Sequence, residues 1–267
     1  MCISCPPVVP PGVLHAIDHL MSPSPFVKHF KPLEEIANTK IPRADGGEIL
    51  AFVAESSSKK KNVDNGRLLI LIHEFFGLNE SICEKAKALS EELQCTVVAP
   101  DTFRGTSTNF VPKAIWFALS TPQERVNQDL NAVVDYVCGN DDSKAIKIAV
   151  MGFCYGGGKA IRYSIQERPD AATVVFYGNP VTDADELKKL QAPFCGVYGR
   201  DDVQFSMKLL DSFQSALKEA NVENDIKIYD EVGHAFWKNM KQIEDGTEPQ
   251  TSAYQHCTTF LKGFFES

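Results

Sequence analysis

A cysteine flanked by glycines is the residue of this chain that is best placed for covalent chemistry. It is Cys154, in the segment Gly-Phe-Cys-Tyr-Gly-Gly at 152–157, which has the G-x-nucleophile-x-G spacing of a nucleophile elbow. An apolar run at 146–150 precedes it and a pattern of helical spacing at 159–165 follows it, so a strand turns into a helix here. The start of a helix favours a thiolate or a developing oxyanion. The alternative is a glycine-rich turn that holds an inert, buried cysteine.

A nucleophilic cysteine needs a base, and the base needs an acid that orients it. In a parallel sheet, reactive groups lie just beyond the carboxyl ends of the strands. Asp201 follows a predicted strand at 194–198, and His234 follows a predicted strand at 225–229. The chain order Cys154, Asp201, His234 is the order of nucleophile, acid and base in α/β-hydrolases. Asp202 stays open as the acid in place of Asp201, since either aspartate could instead cap the next helix.

The segment His-Glu-Phe-Phe-Gly at 73–77 follows the first long apolar strand and supplies a second group of candidates. Acyl transfer needs backbone N–H groups that bind the oxyanion. We expect these donors at Tyr155, directly after the nucleophile, and at Phe75 in this segment. Glu74 is a carboxylate that could hold the thiol neutral until substrate arrives, or accept its proton. The alternative for Glu74 is a loop side chain in solvent.

Strands and helices alternate along most of the chain. The apolar patterns predict strands at 47–55, 67–73, 95–99, 146–150, 173–177, 194–198 and 225–229. Helices are predicted at 81–93, 113–119, 121–137, 159–165, 185–190, 206–220 and 252–265, the first with Ser81 as N-cap and Glu84 completing a capping box. This alternation predicts an α/β fold with a mostly parallel sheet that helices cover on both faces. We expect one domain at 41–267, preceded by a proline-rich N-terminal extension at 1–40.

Composition excludes several classes of function. The 267 residues are 43% hydrophobic and 23% charged, with a formal net charge of −8 and a pI of about 5.3. This acidity argues against nucleic acid and anionic membranes as partners. No apolar run is long enough to cross a bilayer, and no secretory signal or transit peptide is evident, so we expect a cytoplasmic protein. The eight cysteines have no framework spacing and are expected to be reduced thiols.

Five short motifs together resemble the dienelactone hydrolase family, the cysteine members of the α/β-hydrolase superfamily. Besides the two segments above, they are Ala-Pro-Asp at 99–101, Gly-Arg-Asp-Asp at 199–202 and Gly-His-Ala-Phe at 233–236. The resemblance runs from about residue 48 to the C-terminus and implies the α/β-hydrolase fold. It also implies a Cys154–His234–Asp201 triad, with Glu74 as the carboxylate that partners the resting thiol. The family needs no metal or organic cofactor.

The resemblance also implies a substrate class. Members of the family hydrolyse cyclic enol esters such as dienelactones and carboxymethylenebutenolide, and related lactones or esters. Those that bind a carboxylate-bearing lactone use arginines, so Arg104, Trp237 and Lys238 are the candidate substrate-binding residues. We therefore expect the chain to hydrolyse a small ester or lactone through a thioester acyl-enzyme. We expect a monomer or small homo-oligomer. The alternatives are a general carboxylesterase, a thioesterase, or a non-catalytic binding protein with the same fold.

Overall fold

An eight-stranded, mostly parallel sheet forms the centre of the computed structural model, which describes residues 31–57, 66–105, 110–139 and 146–267. The strand order is β1-β2-β4-β3-β5-β6-β7-β8. The first three strands in this order pair antiparallel, and every later pair is parallel. The strands are β1 Thr39–Pro42, β2 Glu48–Ala54, β3 Arg67–Ile72, β4 Thr96–Pro100, β5 Lys147–Phe153, β6 Ala172–Phe176, β7 Phe194–Gly199 and β8 Asn224–Tyr229. The prediction of an α/β-hydrolase fold is confirmed.

Helices cover both faces of the sheet, as continuous apolar strands require. They are α1 Leu33–Ile36, α2 Glu80–Leu93, α3 Val111–Ser120, α4 Gln123–Cys138, α5 Tyr155–Gln166, α6 Ala184–Leu187, α7 Met207–Glu219, α8 Lys241–Glu244 and α9 Gln250–Glu266. Helices α2 and α9 cover one face of the sheet, where they pack against every second strand residue, for example Met151. Helices α4, α5 and α7 pack on the other face, where neighbouring residues such as Val150 point.

The structure joins the last part of the predicted N-terminal extension to the sheet. Leu33 and Ile36 of α1 are buried in the main core, and β1 pairs with β2 from Thr39 onward. The polar residues that alternate with Ile41 in this edge strand hid its pattern in the sequence. The part of the extension at 1–30 lies outside the described residues.

Helix α2 begins earlier than predicted, with a different cap. Asn79, and not Ser81, is the N-cap, and its side-chain oxygen accepts a hydrogen bond of 3.2 Å from the N–H of Ile82. The Ser81 hydroxyl instead donates to the carbonyl of Lys238 at 2.6 Å, so a long-range contact replaces the predicted local one. This contact ties the start of α2 to the segment that follows β8.

None of the helices in the described part of the chain combines the length and the apolar character that a membrane span requires.

Candidate active site

The nucleophile elbow is formed at the carboxyl end of β5. Cys154 follows the strand directly and has φ 52° and ψ −113°, a strained conformation for a residue with a side chain. Its N–H donates to the carbonyl of Phe176 at 3.0 Å, which fixes the bend. Gly152 and Gly156 make the bend possible, because a Cβ on either glycine would collide with backbone carbonyl groups. Cys154 is therefore raised at the start of α5, where it stays half-buried.

Cys154, His234 and Asp202 form a continuous line of hydrogen bonds. His234 Nε2 lies 3.0 Å from Cys154 Sγ, and His234 Nδ1 lies 2.8 Å from Asp202 Oδ2. Each residue follows a different strand of the sheet, β5, β8 and β7 respectively. The Asp202 side chain is fully buried, and its Oδ1 accepts hydrogen bonds from the N–H groups of Gln204 and Phe205.

This geometry corrects the predicted acid from Asp201 to Asp202. Asp201 is exposed, and only its backbone takes part here, through an N–H donated to Val232 at 3.0 Å. The turn after β7 directs the first aspartate to solvent and the second toward His234. Sequence order cannot distinguish two adjacent aspartates, because the direction of each side chain depends on the dihedral angles of the turn.

The hydrogen bonds at His234 control its charge. Burial lowers the pKa of His234, but the contacts with Asp202 and Cys154 outweigh burial and raise that pKa to about 10. The imidazole is thus stabilised as an imidazolium beside the sulfur atom at neutral pH. A histidine with a raised pKa is also a stronger base, as the partner of a nucleophile needs to be.

Burial disfavours a thiolate at three other cysteines of the described chain. Burial raises the pKa of Cys83 to about 12 and raises the pKa values of Cys195 and Cys257 further. Cys95 is also buried, and Cys138 is half-buried. Of Cys83, Cys154, Cys195 and Cys257, we therefore expect an alkylating reagent to modify Cys154 first.

The turn after β3 presents the second predicted group of residues. His73 is fully buried, and its Nδ1 donates to the carbonyl of Glu74 at 2.7 Å, while its Nε2 accepts from the N–H of Thr102 at 3.2 Å. Because C=O and N–H point in opposite directions in a trans peptide, the N–H of Phe75 points away from His73. Among the described residues, no group accepts a hydrogen bond from this N–H. Tyr155 is the first residue of α5, so its N–H lacks a partner within the helix.

Glu74 lies beside Tyr177, which sequence analysis did not single out. The Tyr177 hydroxyl lies 3.3 Å from Glu74 Oε1 and 3.3 Å from the carbonyl of Trp237, so one hydrogen serves two acceptors. Burial raises the pKa of Tyr177, and the charges of Glu74 and Cys154 raise it further. The Tyr177 hydroxyl thus joins Glu74 to the segment that follows His234. The signal in the sequence was the position of Tyr177 directly after β6, where site residues are expected.

The predicted substrate-binding residues have other roles in the structure. Arg104 makes a two-pronged ion pair with the fully buried Asp129, with Nη2 to Oδ1 at 2.7 Å. Trp237 is fully buried, with its ring against those of Phe153 and Phe176, so the structure places it in the core and not at an exposed surface where we expected substrate contact. Lys238 is exposed, and its carbonyl, not its side chain, is used in the fold. Sequence position alone could not show that Arg104 has a carboxylate partner 25 residues further along the chain.

No set of three or more histidine, cysteine, aspartate or glutamate side chains in the described regions is arranged to hold a metal ion.

Comparison with known proteins places these features in a family context. The family model described as "Dienelactone hydrolase family" matches residues 51–265. A Salmonella typhimurium protein named "Putative carboxymethylenebutenolidase" is 27% identical over 213 residues, which cover 74% of this chain and 76% of that protein. The human "Carboxymethylenebutenolidase homolog" is 25% identical over 197 residues, which cover 72% of this chain and 79% of that protein. A solved Klebsiella pneumoniae structure titled "Putative Dienelactone Hydrolase" is 24% identical, with a TM-score of 0.70, over 86% of this chain and 97% of that one.

Proposed function

The chain belongs to the dienelactone hydrolase family of carboxylic ester hydrolases, and we propose that it hydrolyses activated esters through a Cys154–His234–Asp202 triad. The observation that carries this proposal is the line of hydrogen bonds at 3.0 Å and 2.8 Å that joins the three side chains. A base within hydrogen-bond reach of a nucleophile, itself oriented by an acid, is the arrangement that covalent hydrolysis needs.

The proposed reaction begins when substrate displaces the Glu74 carboxylate from the region of the thiol. His234 takes the proton of the Cys154 thiol, and the thiolate attacks the ester carbonyl. The resulting oxyanion accepts hydrogen bonds from the N–H groups of Phe75 and Tyr155. The tetrahedral species collapses with loss of the alcohol or enolate, which takes a proton from the His234 imidazolium. Water, deprotonated by His234, then attacks the thioester and releases the acid.

We propose lactones and enol esters of the dienelactone type as the first substrate class, because relatives of this chain carry the name carboxymethylenebutenolidase. An enolate is a good leaving group, which suits a thiolate nucleophile.

A general carboxylesterase or thioesterase is the second candidate, and one observation favours it. Arg104 is already paired with the buried Asp129, and Lys238 is exposed, so neither cation is held ready for a substrate carboxylate. A substrate without a carboxylate would need neither residue.

Steady-state hydrolysis tests the proposal and separates the substrate classes. The assay compares p-nitrophenyl acetate with a dienelactone, for the parent protein and for Cys154→Ala, each with and without iodoacetamide. Turnover that requires Cys154 and is lost on alkylation is the expected result. Lactone turnover supports the first class, and ester turnover alone supports the second. Hydrolysis retained by Cys154→Ala contradicts the proposed mechanism.

A further inference from the structure

A lysine is buried beneath the proposed active site. Lys85 lies on α2 between the apolar positions Ile82 and Leu89, and its side chain is 1% exposed. Its Nζ lies over the rings of Phe153 and Trp237, 5.2 Å and 5.3 Å from their centroids. An apolar residue would satisfy this core position, so a cation here needs an explanation.

The ammonium group of Lys85 is held at a defined place. It donates to Ser81 Oγ at 3.0 Å and to the carbonyl of Lys238 at 3.2 Å. No carboxylate of the described residues lies within ion-pair distance of the Lys85 nitrogen. Neutral oxygens and aromatic faces therefore solvate the ammonium group directly, and carboxylates act on it only at longer range.

The contacts lead from this ammonium group toward the Glu74 carboxylate. The Tyr177 hydroxyl lies 3.3 Å from Glu74 Oε1 and 3.3 Å from the Trp237 carbonyl, and the next carbonyl along the chain, that of Lys238, accepts from Lys85. Burial lowers the pKa of Lys85, and the negative charge of Glu74 is the largest influence that raises it, ahead of Glu84. Glu84 is exposed on the solvent side of α2, whereas Glu74 is half-buried and hydrogen-bonded to Tyr177. The low dielectric around Lys85 strengthens its attraction to the half-buried Glu74 charge.

The same lysine connects to the segment that follows His234. Three successive carbonyls of this segment accept hydrogen bonds from buried side chains in three different parts of the chain. The Phe236 carbonyl accepts from Gln250 at 3.0 Å, the Trp237 carbonyl accepts from Tyr177, and the Lys238 carbonyl accepts from Lys85. Lys85 and Tyr177 thus bind neighbouring carbonyls of this segment, and Tyr177 also contacts Glu74.

We propose that Lys85 is a positioning residue of the active site, the internal cation that holds the Glu74 carboxylate in its resting place beside Cys154. This inference rests on the proposed function. Lys85 does not touch the reacting atoms, and it acts through Glu74. Its contacts with Ser81 and Lys238 fix the place of the charge.

A double-mutant cycle between Lys85 and Glu74 tests the proposal. The variants are Lys85→Met, Glu74→Gln and the double variant, and Met preserves most of the packing against the two rings. Two quantities are measured for each folded variant: kcat/KM for p-nitrophenyl acetate, and the second-order rate constant for alkylation of Cys154 by iodoacetamide. Lys87→Met is the matched control, because Lys87 is on the same helix with its Nζ over Phe52 at 5.5 Å.

We expect Lys85→Met to lower kcat/KM about tenfold in the parent protein and less than twofold in the Glu74→Gln background. Lys87→Met is expected to change neither quantity. Equal effects of Lys85→Met in both backgrounds would show that the lysine acts by packing alone and would overturn the proposal. If Lys85→Met fails to fold, Lys85→Gln, which also removes the charge, replaces it in the same cycle.

Failure of the proposed function is seen separately. Hydrolysis that survives in Cys154→Ala would refute the proposed mechanism, whatever the cycle shows. Coupling in the alkylation rate does not depend on turnover, so the link between Lys85 and Glu74 is tested even if p-nitrophenyl acetate is a poor substrate.

Discussion

Replacing Asp202 with asparagine should remove most of the activity while leaving the turn intact. Asp202 Oδ1 accepts from two backbone N–H groups, of Gln204 and Phe205, and an asparagine oxygen can keep both bonds. The amide nitrogen then takes the place of Oδ2, which lies 2.8 Å from His234 Nδ1. The new amide N–H and the Nδ1–H of His234 would then face each other as two donors. The imidazole avoids this by carrying its proton on Nε2, and Nε2 can then no longer accept a proton from Cys154.

The size of the effect follows from the burial of the pair. The side chain of Asp202 is 0% exposed and that of His234 is 11% exposed, so solvent screens their interaction weakly. Removing one partner of a buried charged pair costs about 3 kcal/mol at the low end. At about 1.4 kcal/mol for each factor of ten in rate, kcat/KM should fall about a hundredfold.

Asp201→Asn is the matched control, because Asp201 is the adjacent aspartate and its side chain points to solvent. Its kcat/KM for p-nitrophenyl acetate should stay within about twofold of the parent value, since surface substitutions rarely change stability by more than about 0.5 kcal/mol. Thermal unfolding of both variants establishes that they fold. A large loss in Asp201→Asn together with near-normal activity in Asp202→Asn would refute the assignment of the acid.

Three further predictions concern charge, packing and hydrogen bonding. Cys154→Ala should lower the pKa of His234 from about 10, because the contact with sulfur is one of its causes, and NMR titration of the imidazole would detect this; an unchanged pKa would refute the pairing. The raised pKa also means that folded His234 binds its proton more tightly than unfolded His234, which stabilises the fold. This contribution to stability is complete below about pH 6.5 and is lost as pH rises through about 10. Cys154→Ala should therefore flatten this part of the stability profile. Gly156→Ala should lower the free energy of unfolding by about 2 kcal/mol or more in urea denaturation, because the added Cβ meets backbone carbonyls; a variant of normal stability would show that the bend can relax. Tyr177→Phe should cost about 1–2 kcal/mol in the same assay, since the buried Trp237 carbonyl loses its donor, and no loss would mean that this hydrogen bond is weak.

The sequence predicted the sheet well where the strands are buried on both sides. Strands β3 and β5 are continuously apolar after their first residues, so both could be recognised as strands and located from the sequence. The edge strand β1 was missed because only Ile41 among its residues is buried. A strand at the edge of a sheet can carry polar residues where it faces solvent, so its apolar pattern is short and is a weak signal.

The candidate site was predictable as a set of loops but not as a set of contacts. Cys154 and His234 follow strands, and their meeting was expected from the parallel topology. The choice of Asp202 over Asp201 depends on turn geometry, and the pairing of Arg104 with Asp129 depends on packing between distant segments. A cation at a core-facing helical position was the one visible sign of Lys85.

Mass spectrometry of a rapidly quenched reaction is the most direct test that Cys154 is the nucleophile. The parent protein is mixed with p-nitrophenyl acetate, quenched in acid within the first turnovers, and digested for peptide mapping. We expect one acetyl group, carried by the peptide that contains Cys154 and localised to that sulfur. Hydrolysis that proceeds with no acyl group on Cys154, or with the acyl group on another residue that turnover requires, would contradict it.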